Sequence, residues 1–327
     1  MNKRIAVLPG DGIGPEVTNQ SIKVLDVIAA RFGHSFDYHF AVVGAIAIDQ
    51  TDNPLPDATI DTCLSSDAVL FGAIGDPKYD NNPSATVRPE QGLLKLRKVL
   101  ELYTNIRPID TYKALHHLSP VKARLLENVD FVIFRELTGG IYFGKKEKSA
   151  DGDAATDECT YSKYEIERIA QLAFQYAQKR KNKLTLIDKA NVLETSRLWR
   201  TVVQEIAVSY PTVTVNYMYV DNAAMQIILN PAQFDVVLTE NMFGDIISDE
   251  ASVLSGSLGL LPSASVGNKA ALFEPIHGSY PQAAGKDIDP VNNYSTSAIG
   301  DLIADHIERN IGLSVSANAS LNKSTII

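Results

Sequence analysis

Residues 236–255, VVLTENMFGDIISDEASVLS, place a short apolar strand directly before an amphipathic helix. The strand pattern covers residues 236–238, and the helix pattern covers residues 243–255. The same strand-then-helix alternation recurs along the chain, which favours an α/β architecture with a largely parallel or mixed sheet. The other predicted strands cover residues 5–8, 68–71, 131–134, 184–187 and 213–219, and the other predicted helices cover residues 15–32, 92–102, 163–180, 195–208 and 297–309.

Two aspartates of this stretch, Asp245 and Asp249, stand four residues apart, so a helix places them on one face. Two carboxylates held together repel each other unless a proton or a cation relieves them. With Asp221 they form an oxygen-rich set of the kind that suits Mg²⁺ or Mn²⁺. The alternative is a solvated helix edge with an acid that favours the helix dipole. The residues predicted to cover the rest of the helix are Phe243, Ile246, Ile247 and Val253.

Charge and cysteine content argue against several classes of function. The 327 residues carry a net charge of −9, which is unfavourable for a nucleic-acid partner or an anionic membrane surface. The two cysteines, Cys63 and Cys159, lack the spacing of metal ligands and predict a reduced, cytoplasmic location. The sequence also lacks the long apolar run that a transmembrane helix needs.

Three arginines are candidates for binding an anionic ligand. Arg97 lies in a helical pattern, Arg107 follows in NIRP, and Arg135 ends a buried strand just before Gly139 and Gly140. Ligands of open α/β folds bind at the carboxyl ends of strands, and guanidinium groups bind carboxylates through paired hydrogen bonds. The three arginines therefore predict a dicarboxylate or phosphate ligand, unless each makes an ordinary surface ion pair.

Tyr142 and Lys189 are the candidate proton carriers. Lys189 directly follows the apolar strand at residues 184–187, which places it at a sheet edge. Burial or a neighbouring charge can bring the pKa of a lysine or a tyrosine into a useful range. The ordinary alternatives are a packing tyrosine and a solvated lysine.

Two glycine-containing segments are candidate ligand loops. GDGIGPE, at residues 10–16, follows the first strand but lacks the glycine spacing of the dinucleotide fingerprint, so it predicts a tight turn near a ligand. EPIHGS, at residues 274–279, is either a nucleotide-contacting loop or a turn around a buried histidine.

Taken together, these residues resemble the β-decarboxylating dehydrogenases of the isocitrate and isopropylmalate type. The segments that carry the resemblance run in the family's order from residue 4 to about residue 288: GDGIGPE, RPEQGLLKLRK, NIRP, RELTGGIYFG, DKANVL, VDNAAM, FGDIISDE, GSLGLLPSAS and EPIHGS. The resemblance implies a two-domain open mixed sheet of that type, which is not a standard Rossmann fold. It implies NAD-dependent oxidative decarboxylation of 3-isopropylmalate in leucine biosynthesis, by a cytoplasmic homodimer that requires Mg²⁺ or Mn²⁺.

The resemblance also implies roles for individual residues. Tyr142 and Lys189 match the family's proton-transfer pair, and Asp221, Asp245 and Asp249 match its metal ligands. Lys189 and Asp221 are implied to enter the partner subunit's site. The positions that match substrate-binding residues are Arg97, Arg107, Arg135, Asp221, Leu93, Leu94 and Asn191. The positions that match the NAD site are Gly75 and Glu90 on the nicotinamide side, and His277, Gly278 and Ser279 on the adenosine side.

The resemblance implies a cofactor domain of residues 1–101 and 256–327, and a metal, substrate and dimerisation domain of residues 102–255. After residue 288 the chain is expected to be shorter than the family pattern by several tens of residues. The loss of a covering helix exposes apolar surface, so weaker NAD binding or lower stability is expected. Two alternatives therefore stay open, namely a non-catalytic paralogue that dimerises, and a related enzyme for D-malate or isocitrate. The polar stretch at residues 145–157 is predicted to be a surface loop or a subunit-pairing arm.

Overall fold

The computed structural model describes residues 1–82, 86–256, 259, 261–286 and 295–309. The chain divides into two compact units, of which unit 1 comprises Met1–Glu101 and the described residues from Val266 onward, and unit 2 comprises Leu102–Ser265. The predicted shortening after residue 288 lies outside the described residues. None of the described helices is both long enough and apolar enough to cross a membrane.

Unit 1 is a parallel sheet with helices. Its strands are β1 (Asn2–Gly10), β2 (Ser35–Phe40), β3 (Ala68–Ala73) and β12 (Ala271–Pro275), and its helices are α1 (Gly14–Phe32), α2 (Ala45–Thr51), α3 (Asp57–Leu64), α4 (Pro77–Asp80), α5 (Pro89–Val99) and α11 (Thr296–Arg309). The strand order is β2-β1-β3-β12, and the three neighbouring pairs are parallel. Residues 5–8 of β1 are buried without alternation, which is the pattern of a strand covered on both faces.

Unit 2 contains a mixed sheet. Its strands are β4 (Thr104–Asp110), β5 (Asp130–Glu136), β8 (Lys183–Asp188), β9 (Thr214–Tyr219), β10 (Val236–Thr239) and β11 (Pro262–Val266, whose last residue belongs to unit 1), with a hairpin of β6 (Lys146–Lys148) and β7 (Ala155–Asp157). Its helices are α6 (Ala123–Leu126), α7 (Lys163–Gln178), α8 (Glu194–Ala207), α9 (Val220–Leu229) and α10 (Asn241–Ser252). The strand order is β11-β4-β5-β10-β8-β9, in which β4 and β5 are antiparallel and β5, β10, β8 and β9 are parallel.

The core of unit 2 lies where α7 and α8 pack beside the parallel strands. Trp199 of α8 and Phe174 of α7 are almost fully buried there, and the ring of Tyr161 meets Trp199 edge-on at 5.5 Å. Helix α7 begins at a capping box in which Ser162 and Glu165 exchange hydrogen bonds. This packed core supports the parallel strands of unit 2, and the candidate functional side chains lie at the ends of those strands.

The predicted α/β class and all six predicted strands are confirmed, although β9 is only half-buried. The prediction that Ile246 and Val253 cover the helix is wrong, because these side chains are 59% and 39% exposed while Phe243 and Ile247 are buried. The polar segment at residues 145–157 contains the exposed hairpin β6–β7 rather than irregular loop alone. Strands β2, β4, β11 and β12 were not predicted, because their sequences mix polar, proline and apolar residues.

Candidate active site

The carboxyl ends of β5, β10 and β8 lie side by side in unit 2. In the parallel register, Thr239 of β10 stands opposite Arg135 of β5 and Ile187 of β8. The residues that follow these positions are Asn241, which begins α10, and Lys189, which follows β8. The topology therefore brings Arg135, the start of α10 and Lys189 to one edge of the sheet, where ligands bind in open α/β folds.

Arg135 is buried and fixed on α10. Its Nε and Nη2 donate to Asn241 Oδ1 at 3.1 and 2.9 Å, and its Nη1 donates to Asp245 Oδ1. Gly244 makes this approach possible, because a Cβ at that position would lie 2.6 Å from Arg135 Cγ. Arg135 is only 4% exposed, so the orientation of its guanidinium is set before any ligand arrives.

Tyr142 lies against the same carboxylate. Its hydroxyl donates to Asp245 Oδ2 at 2.8 Å, and the Arg135 guanidinium lies 5.8 Å from its ring centroid. Burial, with the hydrogen bond to Asp245 next in importance, raises the pKa of Tyr142 to about 12. The phenol is therefore protonated at neutral pH and can act as a proton donor, not as a ready base.

Arg107 is the second buried arginine of unit 2. Its Nε donates to Asn105 Oδ1 at 2.7 Å, and its Nη1 donates to Ser248 Oγ and, at 3.0 Å, to Asp249 Oδ1. Its Nη2 is 3.9 Å from Asp245 Oδ1. Asp245 and Asp249 thus share one face of α10, and that face meets two arginines.

Lys189 and Asp221 form a separate pair. Lys189 Nζ donates to Asp221 Oδ1 at 2.6 Å, and the ammonium holds the pKa of Asp221 below its usual value. Asn191 is exposed in the turn that follows. Where the structure describes the chain, it has no group of three or more His, Cys, Asp or Glu side chains arranged to hold a metal ion. Within one chain the structure brings Asp245 and Asp249 together and places Asp221 beside Lys189.

The donor chemistry of Asp245 and Asp249 fits a hard divalent cation. Both side chains offer carboxylate oxygens, and they are 35% and 65% exposed, so an ion can reach them. In the structure their charge is balanced by Arg107 and Arg135 instead. A cation at these aspartates and an anionic ligand at the two arginines would therefore be mutually compatible.

A row of buried acids lies one residue beyond Arg135 and Thr239. Glu136, Glu240 and Asp188 follow one another across β5, β10 and β8, and none is more than 4% exposed. Glu136 is hydrogen-bonded by Thr138 and Gly139, and Asp188 is bound by Arg200 through two hydrogen bonds of 2.6 and 3.0 Å. Glu240 Oε2 is buried without a hydrogen-bond partner. This row is not among the site residues predicted from the sequence, although an acid at the end of each apolar strand signals it.

Three residues predicted for the cofactor converge in unit 1. Gly75 has φ of +119°, and a Cβ there would lie 3.1 Å from Glu90 Oε1 and 3.4 Å from Ser279 Oγ. Ser279 is buried and its carbonyl accepts from Ile13 N at 2.8 Å, which ties it to the GDGIGPE turn. Gly278 has open space where a side chain would be, and His277 Nδ1 lies 2.9 Å from Gly278 O. This arrangement of glycines and short polar side chains fits a nucleotide.

Arg97 belongs to unit 1, unlike the other two arginines. Its Nη2 donates to Glu274 Oε1 at 3.0 Å, and both side chains are largely buried. Leu93 and Leu94 are half-buried on the same helix, α5. The structure thus assigns Arg97 an ion-pair partner that lies in the EPIHGS segment, which sequence spacing did not indicate.

Comparison with known proteins gives consistent matches over most of the chain. The profile of the family described as isocitrate/isopropylmalate dehydrogenase matches residues 4–319. The 3-isopropylmalate dehydrogenase of Bacteroides fragilis is 56% identical over 288 residues, which are 88% of this chain and 81% of that protein. The corresponding enzyme of Wolinella succinogenes is 53% identical over 302 residues, 92% of this chain and 83% of its own. Among solved structures, isocitrate dehydrogenase from Methylococcus capsulatus matches with a TM-score of 0.78 and 33% identity, covering 93% of this chain and 85% of that one.

Proposed function

The chain belongs to the isocitrate/isopropylmalate dehydrogenase family, and we propose that it catalyses the NAD-dependent oxidative decarboxylation of 3-isopropylmalate in leucine biosynthesis. The products are 2-oxo-4-methylpentanoate, CO₂ and NADH. The observation that carries this proposal is the convergence of Arg135 and Tyr142 on the two oxygens of Asp245. It joins an anion-binding group, a proton donor and a metal-ligating type of side chain at one place.

The arginines hold the carboxylates of the substrate. Arg107 and Arg135 are buried and already oriented, so they lose little side-chain entropy when a carboxylate arrives. Arg97 is proposed as the third member of the set, and it must share its guanidinium between the ligand and Glu274. As the substrate carboxylates take over hydrogen bonds of Arg107 and Arg135, Asp245 and Asp249 lose part of their charge balance, which favours cation binding at the two aspartates.

Asp245 and Asp249, together with the partner subunit's Asp221, are proposed to hold Mg²⁺ or Mn²⁺. When bound, the ion supplies Lewis acidity that lowers the pKa of the substrate alcohol and stabilises negative charge on its oxygen. Gly75, Glu90, His277, Gly278 and Ser279 are proposed to bind NAD, which supplies the hydride acceptor. Gln282 and Pro281 follow Tyr280 where a lysine or arginine would be expected for NADP, so NAD is favoured.

Proton transfers are assigned to two side chains. Lys189, as the free amine, would accept the proton of the alcohol when the alcohol is oxidised to a β-keto acid. Loss of CO₂ from that acid leaves an enolate, whose carbon Tyr142 protonates from its hydroxyl. The hydrogen bond from Tyr142 to Asp245 keeps the phenol oriented for this step.

Leu93 and Leu94 of α5 are proposed to contact the side chain of the substrate. Two half-buried leucines offer apolar contact to an isopropyl group and nothing to a third carboxylate. Discrimination by one apolar contact amounts to about 1–3 kcal/mol, so 3-isopropylmalate is preferred over D-malate by a limited factor. Isocitrate is disfavoured more strongly, because its third carboxylate meets leucine side chains that cannot pair with it.

The test of the proposal is NADH formation by the purified protein with 3-isopropylmalate, NAD and Mg²⁺. Parallel reactions use isocitrate or D-malate, and a chelator serves as the control for metal dependence. We expect metal-dependent turnover that is fastest with 3-isopropylmalate. Absence of turnover with all three substrates, from a folded protein, would overturn the proposal in favour of a non-catalytic paralogue.

We also propose that the enzyme is a cytoplasmic homodimer with shared sites. Four apolar side chains near the functional residues are more than half exposed: Val192, Met225, Leu229 and Ile246. They follow Lys189, Asp221 and Asp245 along the chain by one to eight residues, and α9 packs against α10. Clustered exposed apolar side chains mark interaction surfaces, and most homo-oligomers are symmetric dimers. The two free cysteines agree with a reducing compartment.

A mixed-dimer experiment tests the shared site. We expect Lys189→Met and Asp245→Asn each to inactivate the enzyme, since one removes the proposed base and the other a proposed metal ligand. If Lys189 acts in the partner's site, a heterodimer of the two variants has one site with both defects and one intact site. Co-expression in equal amounts then restores about a quarter of the wild-type activity, because half of the dimers are mixed. No recovery from verified heterodimers would show that Lys189 and Asp245 of the same chain act together.

A further inference from the structure

A buried carboxylate in unit 1, Asp11, lies at the turn between β1 and α1. The side chain is 7% exposed, and burial raises the pKa of its carboxyl group against the opposing effect of its hydrogen bonds. Its backbone N–H donates to Ala73 O at 2.8 Å, so the turn is also fixed on β3. The reaction proposed above gives Asp11 no part.

Three backbone N–H groups donate to this carboxylate. Ala45 N and Gly75 N donate to Oδ2, each at 2.9 Å, and Ile46 N donates to Oδ1 at 3.1 Å. Two of these donors belong to the start of α2 and the third to the loop after β3. Only glycine fits at position 44, because a Cβ there would lie 2.4 Å from Asp11 Oδ2. Asp11 thus connects its own turn to the start of α2 and to the loop after β3, which are distant in sequence.

The same turn reaches the other half of the proposed cofactor site. Ile13 N donates to Ser279 O, and a Cβ at Gly12 would lie 2.0 Å from that oxygen. Residues 11–13 therefore set the distance between the Gly75 loop and the Ser279 loop. Glu90 and Ser279 both lie near the position of the absent Gly75 side chain, so a shift of Gly75 changes the space between them.

We propose that Asp11 is a positioning residue for the cofactor, whose carboxylate fixes the backbone of Gly75 relative to Glu90 and Ser279. This inference rests on the proposed binding of NAD by unit 1. An ionised carboxylate suits the position because it accepts all three N–H groups and donates none. A neutral amide accepts only through its oxygen, and its NH₂ group would face a backbone N–H.

The test compares NADH binding by wild-type protein and the Asp11→Asn variant, measured by titration calorimetry. We expect NADH affinity to fall by about tenfold or more, since small displacements at a site are costly. The KM for NAD should rise similarly, while the KM for 3-isopropylmalate stays within about twofold. Arg107 and Arg135 lie in unit 2, and the hydrogen bonds of the Asp11 carboxylate go to Ala45, Ile46 and Gly75 rather than to the substrate-binding residues of α5. Asp61→Asn, the same exchange at an exposed position of unit 1, is the control and should behave as wild type.

Asp11→Glu provides a second test if the asparagine variant does not fold. It keeps the charge but displaces the oxygens, so weaker NADH binding is again expected. Wild-type NADH affinity in any folded Asp11 variant would overturn the inference. Failure of the wild-type protein itself to bind NADH would instead overturn the proposed function, so the two failures are distinguishable.

Discussion

Replacing Tyr142 with phenylalanine is expected to lower steady-state kcat by about 10²- to 10⁴-fold, the usual effect of removing a general acid. The ring and its contact with the Arg135 guanidinium remain, and Asp245 keeps its bond to Arg135. The dissociation constants of substrate and cofactor should therefore change little. The variant should lose rate rather than binding affinity, because the hydroxyl that donates to Asp245 is also the proton source proposed for the enolate.

A rapid-mixing experiment identifies the step that Tyr142 serves. Protonation follows hydride transfer in the proposed sequence, so the variant should form up to one NADH per site quickly and then turn over slowly. In the wild-type enzyme, the first turnover should form NADH no faster than the later turnovers do. Because the pKa of Tyr142 is raised to about 12, its hydroxyl carries its proton at neutral pH. Tyr112→Phe, at an exposed tyrosine of unit 2, is the matched control, and a wild-type rate in Tyr142→Phe would remove Tyr142 from the mechanism.

The sequence predicted the parts of the molecule in which local pattern and tertiary environment agree. Apolar runs such as residues 131–134 and 184–187 are buried strands because helices cover both faces of the sheet, and no local signal opposes them. Asp245 and Asp249 lie on one face of α10 because helical geometry alone determines their relation. The family resemblance is likewise confirmed, since it used many short segments whose order is specific.

Pairings between distant segments could not be predicted from the sequence. Nothing in the spacing of Arg97 and Glu274, 177 residues apart, indicates their ion pair. Ile246 follows the apolar pattern of its helix and is nevertheless 59% exposed, because the helical period does not tell which face of the helix packs against the rest of the chain. The sequence indicates Asp11 only as part of a glycine-rich turn, because its three backbone donors come from residues 34 to 64 positions away.

The buried acid row has a consequence for stability, and Glu240 is its sensitive member. Glu136 and Asp188 are held by hydrogen-bond donors, whereas Glu240 stands between them with one oxygen unpartnered. Burial, followed by the charges of Glu136 and Asp188, raises the pKa of Glu240 to about 7 from its usual 4.5. The folded protein therefore holds this proton more tightly than the unfolded chain does between these pH values.

The sign of the pH effect follows from that difference. A raised pKa in the folded state contributes stability that is complete below about pH 4.5 and is lost as the pH rises through about 7. The loss between pH 5 and pH 8 amounts to roughly 2–3 kcal/mol, given about 1.4 kcal/mol per pKa unit. Glu240→Gln keeps the shape of the side chain and cannot ionise, so its free energy of unfolding should lack this decrease.

Urea unfolding of wild-type protein and Glu240→Gln at several pH values between 5 and 8 measures the effect. Trp199 is the single tryptophan of the chain and lies 1% exposed in unit 2, so its fluorescence reports the unit that contains Glu240. The variant should gain stability relative to wild type as the pH rises, until the difference levels off above about pH 7. Glu127→Gln, at an exposed glutamate of the same unit, should run parallel to wild type. Parallel curves for Glu240→Gln as well would mean that the pKa of Glu240 is not raised in the folded protein, which would contradict the prediction.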